Sequence, residues 1–440
     1  MINKELLTTY GLAFLVAIFG FWIAYQFVQP APPNRIVMST GRKDGAYYLF
    51  AQQYRDVLAH SGITLEIRTS AGSLENVERV DKGEVDIAFV QGGTYPSKYR
   101  QHLVSLGSMY YEPLWVFYHS RTRVSEIIGL KGKRIAVGEE GSGTRAVAEL
   151  LLKENGIRRS PTVLSSLGGR DASNALLKRE VDAAFFIASP RSPTVQELLT
   201  ESQTKLKLMD FRRAEAYTRR HRHLFSLTFP QAVIDLQKNI PPHDTTLIAT
   251  TANLLVGMDF HPALIDLVLT AAKEIHGAPG LFEEQGEFPS PRYSEFPLSE
   301  EAERFYRRGP SFLRRVLPFW AATFVDRMIV LLIPLIALLY PLFKVVPPTY
   351  RWRMRAKIYR WYKQVKAVDL GVQDEQTPER LRTLMAELDR IEGEVKIITT
   401  PLTYASQLYD LRLHIELLRE KLERTTRERE TEIRLHEEAQ

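Results

Sequence analysis

Residues 70–89 read SAGSLENVERVDKGEVDIAF, and residues 167–186, LGGRDASNALLKREVDAAFF, repeat their pattern about 97 residues later. In both copies a small, polar turn precedes a helical stretch, a charged turn and a short apolar strand. Upstream, RIVMSTG at 35–41 corresponds in the same way to RIAVGEEG at 134–141. A period this long exceeds that of solenoid repeats and instead predicts two similar lobes.

Strands and helices alternate within each copy. In the first, apolar strands at 35–38, 63–69 and 85–90 are separated by helical patterns at 47–60 and 74–82. This strand-helix order predicts an α/β fold, in which helices cover a parallel sheet.

The lobes are predicted to be joined by two strand crossovers. Pro113–His119, PLWVFYH, is a bulky apolar strand that leaves the first lobe, and the chain from about 206 to 229 offers the return. Residues 248–257 and 262–276 read as helices that complete the first lobe. Such a pair of lobes is a hinged clamshell that closes on a ligand. The predicted limits are 34–118 with 225–310 for the first lobe and 119–224 for the second.

An apolar segment near the amino terminus predicts a membrane span over residues 6–28. No charged residue occurs from Leu6 to Asn34, and a hydrocarbon core needs about 20 apolar residues. A cleaved signal peptide is the competing interpretation. Against it, the apolar stretch exceeds that of a usual signal peptide, and no small-x-small cleavage site precedes Pro30.

Residues 328–346 predict a second span, preceded by an interfacial segment at 311–327. Two prolines within this span make a buried core helix the weaker interpretation, because membrane helices tolerate proline better. Seven basic residues and no acidic one follow within 351–366. By the positive-inside rule this segment stays cytoplasmic. We therefore expect an inner-membrane protein with both termini in the cytoplasm and residues 34–320 outside.

Composition removes several classes of function. The 440 residues include no Cys, which excludes disulfides, Cys-ligated zinc, iron–sulfur clusters and thiol catalysis. The net charge is +6, and the seven basic residues of 351–366 account for all of it. The charge therefore indicates contact with a lipid bilayer and does not indicate nucleic acid.

Apolar heptads occupy the predicted cytoplasmic region, 351–440. Apolar residues alternate three and four apart over 381–398 and again over 408–422, with a proline between the two runs. These stripes predict a helical hairpin or a dimerising coiled coil. Residues 379–425 could serve self-association or docking onto a cytoplasmic partner, and the pattern does not choose between them.

Four loops rich in Gly, Ser and Thr follow predicted strands, where α/β proteins bind ligands. They lie at 40–48, 70–76, 91–94 and 141–145. Glycine lets the backbone approach a ligand closely, and free N–H groups at a helix start attract anions. Helix capping is an equal interpretation for any single loop. Four loops converging on one cleft favour ligand binding.

Enzyme motifs in these loops are incomplete. GEEGSGT at 138–144 has the glycine spacing of a P-loop but lacks its Lys. Ser142 lacks the pattern of a nucleophile elbow, and Asp171 comes late for the acidic residue of a dinucleotide site. His221 and His223 lie in a basic run, which favours solvated side chains over metal ligands. The sequence predicts a protein without enzymatic activity, metal or cofactor.

Five segments together resemble the substrate-binding proteins of the TAXI (TRAP-associated extracytoplasmic immunogenic) family. They are TGRKDGAYY at 40–48, GSLEN at 72–76, DIAFVQGG at 86–93, VGEEGSGT at 137–144 and VDAAFF at 181–186. The resemblance covers about residues 34–310. It implies a two-lobed type II periplasmic-binding-protein fold that captures a small organic acid, such as glutamate or 2-oxoglutarate, for a separate TRAP-type permease.

The resemblance also implies a set of ligand contacts. They are expected at Gly45, Tyr47, Ser73, Asn76, Gln91, Ser142, Gly143 and Thr144. Two spans and a long tail depart from the usual free or lipid-anchored receptor of this family. The expected function is a membrane-anchored receptor for a small organic anion, either an amino acid or a dicarboxylate. A transmembrane sensor that passes lobe closure to a cytoplasmic partner is the alternative.

Overall fold

The computed structural model describes residues 4–94, 99, 101–121, 124–158, 160–202, 205–374, 377–398 and 401–438. The chain forms two compact units. Pro30–Asp326 makes up one, and the described residues of Met1–Gln29 and Arg327–Gln440 make up the other.

Ten strands and thirteen α-helices are found in the described residues. The strands are β1 Arg35–Ser39, β2 Thr64–Arg68, β3 Ile87–Gln91, β4 Leu103–His119, β5 Arg134–Ala136, β6 Val163–Ser165, β7 Ala183–Ile187, β8 Leu206–Leu208, β9 Phe225–Phe229 and β10 Thr245–Gly257. The helices are α1 Lys4–Gln26, α2 Ala46–Ala59, α3 Ser73–Asp81, α4 Gly143–Glu154, α5 Gly169–Leu177, α6 Pro193–Glu201, α7 Ala214–Arg220, α8 Pro262–His276, α9 Glu300–Arg308, α10 Phe312–Val316, α11 Phe319–Asp374, α12 Pro378–Lys396 and α13 Ala405–Glu438.

The strands of the 30–326 unit form one mixed sheet in the order β2-β1-β3-β10-β4-β7-β5-β6. Strands β1, β2 and β3 are parallel at one end, as β5, β6 and β7 are at the other. The long strands β4 and β10 run antiparallel to each other between these two groups. This strand order is that of a type II periplasmic-binding protein, and it confirms the predicted α/β fold.

The return crossover lies elsewhere than the sequence predicts. Residues 248–257, expected to be helical, belong to β10, which pairs with both β3 and β4. The stretch from 206 to 229 supplies β8, α7 and β9, and β9 pairs with β10. The prediction was wrong because an uncharged run such as IATTANLLVG has no periodicity that separates a buried strand from a buried helix.

On one face of the sheet, two apolar cores lie along the crossing strands. Side chains of β4 contribute to both, because alternate residues point to the same face of the sheet. Leu106 and Tyr110 belong to the core with α2 and α8, whereas Leu114 and Val116 belong to the core with α4. The strand therefore links the two lobes while each lobe keeps its own core.

In the second unit, helices α1 and α11 lie side by side and antiparallel. The Arg353 guanidinium donates to the Thr9 hydroxyl at 3.2 Å, and the rings of Tyr10 and Tyr350 lie 5.8 Å apart. At the other end of α1, the Arg327 guanidinium donates to the carbonyl oxygen of Gln29 at 3.1 Å. Thr8–Gln26 and a stretch within Phe319–Gln373 are long and apolar enough to cross a membrane.

The carboxyl-terminal region is a three-helix arrangement. The predicted heptad residues of α12 and α13 face each other, and the buried ones include Leu388, Ile391, Leu411 and Ile415. The carboxyl-terminal part of α11 adds a third apolar stripe to the same core, with Met354, Ile358, Trp361, Val365, Val368 and Val372. The sequence predicts only two helices here, because the dense basic residues of 351–366 conceal this stripe.

Candidate ligand-binding site

A cavity of about 390 Å³ lies between the two apolar cores of the 30–326 unit. Its walls include the loops that follow β1, β2, β5, β6 and β7, together with Gln91 at the end of β3 and Glu112 of β4. All five loops leave the carboxyl ends of parallel strands, where open α/β sheets bind ligands. The duplicated strand-helix pattern thus places two similar sets of loops face to face.

Seven of the eight predicted ligand contacts line this cavity. They are Gly45, Tyr47, Ser73, Gln91, Ser142, Gly143 and Thr144. The first four come from the lobe that contains β1, and the last three from the loop after β5. Residues about 100 positions apart in the chain therefore meet across one cleft.

Asn76 does not line the cavity. Its side-chain oxygen accepts hydrogen bonds from the hydroxyls of Ser39 and Ser70 at 2.6 and 2.7 Å. Its amide nitrogen donates to the carbonyl oxygens of Thr40 and Phe89. An amide has two donor hydrogens and two acceptor sites, so no capacity remains for a ligand. Asn76 joins α3 to β1, β3 and the turn after β2, which is a structural role.

The three hydroxyls predicted to contact a ligand are engaged with the protein itself. Ser142 caps α4, since its hydroxyl accepts from the Arg145 backbone N–H at 3.3 Å. The Ser73 hydroxyl accepts from the Gln91 backbone N–H at 3.0 Å. The Thr144 hydroxyl accepts from a backbone N–H of β7 at 3.2 Å. These bonds fix the walls, and at Ser142 the structure confirms the capping interpretation.

Three of the helices that begin at the cavity have a glycine as N-cap and therefore no side-chain cap. Their N-cap residues are Gly45, Gly72 and Gly168, and all three line the cavity. The first N–H groups of a helix have no acceptor within the helix, and glycine has no side chain to offer one. The starts of α2, α3 and α5 therefore present free N–H groups and the positive ends of helix dipoles, which favour an anion.

The two walls touch each other at positions where only glycine fits. Gly72 has a φ of +141°, and a Cβ there would lie 3.2 Å from the Cα of Ser142. The Gln91 side chain donates to the carbonyl oxygen of Gly143 at 3.2 Å, and Arg42 pairs with Glu139 at 2.5 Å. Because these contacts join the first lobe to the second, the cleft is closed.

Glu112, on β4, is an acidic residue of the cavity that the sequence does not single out. The side chain is buried and accepts a hydrogen bond from the Tyr47 hydroxyl at 3.1 Å. Burial raises the pKa of this carboxyl from 4.5 to about 8, because the ionised form loses its hydration. The single acidic residue in the apolar run MYYEPLWVFYH was the available signal, but the predicted strand began one residue later, at Pro113.

Basic residues are few around the cavity. Among the described residues that line it, Arg42 and Arg191 are the basic ones. Arg42 is bound to Asp44 and Glu139. In the described part of the chain, the cavity included, no group of three or more His, Asp or Glu side chains could hold a metal ion.

The fold and the closed cleft define a two-lobed α/β protein of the periplasmic-binding type. The chain belongs to the NMT1-like family, which matches residues 38–307.

Solved structures of several binding proteins are similar to about half of the chain. An ancestral arginine-binding protein bound to arginine is 11% identical, covers 56% of this chain and 93% of its own, and has a TM-score of 0.37. The periplasmic aliphatic sulphonate binding protein SsuA from Escherichia coli is 14% identical, with coverage of 56% and 73% and a TM-score of 0.38. A histidine kinase sensor domain similar to periplasmic binding proteins is 15% identical, with coverage of 55% and 90% and a TM-score of 0.36.

Proposed function

We propose that this protein is a membrane-anchored, TAXI-like solute receptor that closes on a small organic anion, an amino acid or a dicarboxylate. The observation that carries the proposal is the closed cavity whose wall contains three helix starts with glycine N-caps. Its volume of about 390 Å³ falls in the range of about 300–1,000 Å³ that small-molecule sites occupy. A carboxylate at the helix starts would accept hydrogen bonds from the free N–H groups.

The proposed role is capture and delivery. Two candidate spans are too few to form a transport path alone, so a separate TRAP-type permease is the proposed partner. The proposed lobes are 34–118 with 225–310 and 119–224. The division of core residues between clusters on the two sides of the cleft supports two lobes, but residues 114–118 and Phe229, Leu247 and Ile248 pack with the second one.

A charge introduced at Ser142, the N-cap at the start of α4, tests the anion site. Ser142→Asp keeps a capping side chain, because Asp and Ser cap equally well, but it adds a negative charge to the cavity wall. At an assumed separation of about 6 Å and an effective dielectric of about 20, the repulsion is about 3 kcal/mol, or about 100-fold in affinity. Ser142→Asn is the matched neutral control and should bind within about threefold of wild type.

The measurement is calorimetric titration of the full chain in detergent with amino acids and dicarboxylates. Equal affinities of the Asp and Asn variants for a bound acid would refute an anion site in this cavity. Failure of every acid to bind wild type would refute the receptor itself.

The proposed topology places the N-terminus and the 351–366 segment in the cytoplasm. The antiparallel α1–α11 pair supports this, since Thr9 lies beside Arg353. The chain contains no natural Cys, so a single Leu370→Cys substitution gives a unique label site. It should resist an impermeant thiol reagent in intact cells, whereas Gln237→Cys, on an exposed loop of the 30–326 unit, should react. Labelling at 370 would overturn the orientation.

Sensing across the membrane is the alternative, and it uses the same ligand site. Deleting the protein from cells distinguishes the two functions. Loss of ligand uptake supports the receptor, whereas loss of a cellular response with unchanged uptake supports the sensor.

A further inference from the structure

Glu112 occupies a singular place in the sheet. It lies on β4 in register with Thr250 of β10, where both strands cross between the lobes. On the same face of β4, Tyr110 belongs to one apolar core and Leu114 to the other. The carboxyl group of Glu112 therefore interrupts an apolar face at the point where the cavity opens.

This carboxyl has one hydrogen-bond donor among the described residues, the Tyr47 hydroxyl at 3.1 Å. Tyr47 is held in turn by its ring, which stacks on Phe89 with centroids 5.1 Å apart. An ionised carboxylate can accept about four hydrogen bonds, so a single phenol leaves acceptor capacity directed at the cavity.

Keeping this acid buried is costly without a partner. Burial and the Tyr47 hydrogen bond are the influences on the Glu112 pKa, and no cation among the described residues contributes. Arg42, a basic residue of the cavity wall, already forms ion pairs with Asp44 and Glu139. An apolar side chain would pack at this position without the cost of burying a carboxyl that has no charged partner. The presence of an acid here therefore indicates a function in the cleft.

We propose that Glu112 is the selectivity residue of this receptor and that its carboxylate pairs with an ammonium group of the ligand. This inference rests on the proposed receptor function and narrows its ligand to an amino acid or a related amine-bearing acid. The helix starts would hold the ligand's carboxylate at the walls, and Glu112 would hold its amine at the crossing strands. An all-donor ammonium complements the acceptor capacity that Tyr47 leaves open.

A dicarboxylate suits this arrangement less well. Its second carboxylate could approach Glu112 only if the two groups shared a proton. With an amine, the ligand itself brings the missing positive charge, and the pair is desolvated when the cleft closes.

Glu112→Gln separates these two ligand classes. Glutamine keeps the shape of the side chain and an oxygen that accepts from Tyr47, but its carboxamide nitrogen donates. Pairing with an ammonium is therefore lost, while hydrogen bonding to a ligand carboxylate is retained. The matched control is Glu274→Gln, an exposed acid on α8 outside the cavity lining.

The assay is calorimetric titration of the full chain in detergent. The probes are the twenty common L-amino acids, the des-amino acid corresponding to each, succinate and 2-oxoglutarate. We expect the tightest compound to carry an amine and to bind at least about 100-fold more tightly than its des-amino partner. In Glu112→Gln this ratio should fall to within about threefold of unity, because the affinity for the amine-bearing compound falls. Glu274→Gln should keep the wild-type ratio.

Each outcome decides between the two proposals. If a dicarboxylate binds best, or if Glu112→Gln keeps the amine preference, the role of Glu112 is refuted and the receptor function stands. If no probe binds wild type, the receptor function fails and this inference fails with it. Thermal unfolding of each variant separates lost binding from lost folding.

Discussion

The buried carboxyl of Glu112 should make the stability of the 30–326 unit fall as the pH rises. The folded protein keeps this proton up to about pH 8, whereas an unfolded glutamate loses it near pH 4.5. Between these values the native state binds more protons than the unfolded state, so the free energy of unfolding decreases with increasing pH and levels off above pH 8.

The size of the effect follows from the width of that window. Each pH unit corresponds to 1.36 kcal/mol, so the full window from 4.5 to about 8 gives at most about 5 kcal/mol. From pH 6.5 to 8 the expected loss is about 2 kcal/mol. Glu112→Gln removes the titrating group, so its free energy of unfolding should not show this component.

The assay is hydrogen–deuterium exchange of the full chain in detergent, read at the slowest amides of β4 and β10 after correction for the intrinsic pH dependence of exchange. The quantity of interest is wild type minus Glu112→Gln at each pH, because contributions of other groups cancel in this difference. It should decline by about 2 kcal/mol between pH 6.5 and 8. A difference that stays constant within about 0.5 kcal/mol, or that rises with pH, would refute the buried, unpaired carboxyl. In the control, the difference between wild type and Glu274→Gln should not change with pH.

Three further predictions concern other parts of the chain. His276 is buried with its pKa lowered to about 3, so stability is lost as the pH falls below 6.5, and thermal unfolding of His276→Phe should show a smaller loss between pH 6.5 and 4.5. Leu411→Ala, in the core of the three-helix arrangement, should destabilise that unit by about 2–5 kcal/mol in urea titration, whereas Leu413→Ala, whose side chain is 59% exposed, should change it by less than about 0.5 kcal/mol. Arg42→Ala breaks a half-exposed ion pair across the cleft, and calorimetry of unfolding should show a change below about 1 kcal/mol that vanishes in high salt; a larger or salt-independent loss would contradict this reading.

The architecture of the 30–326 unit was predictable to a large extent. The predicted strands at 35–38, 63–69 and 85–90 correspond to β1, β2 and β3 within two residues at each end. Local periodicity carried this information, because each strand is a short apolar run next to an amphipathic helix. The duplicated pattern then indicated two lobes.

Local pattern failed where two segments distant in sequence determine the structure. β10 is a strand because it lies between β3 and β4 and pairs with both, and nothing within 248–257 requires that. The third apolar stripe of the carboxyl-terminal core was not predicted for a similar reason, since its apolar residues are interspersed among the basic residues of 351–366.

The candidate site divides along the same line. The sequence by itself determined three of the loops that reach the cleft, those after β1, β2 and β5, because strand ends followed by Gly and Ser are visible in one dimension. The loops after β6 and β7 also line the cavity, and the sequence does not predict them. Only the tertiary structure decided what each side chain does there. The sequence predicts Asn76 as a ligand contact, but its amide hydrogen-bonds to four protein groups. The sequence does not single out Glu112, yet its carboxyl lies between two apolar cores and faces the cavity. Hydrogen-bond saturation and burial depend on neighbours from distant parts of the chain, and those neighbours assemble only when the chain folds.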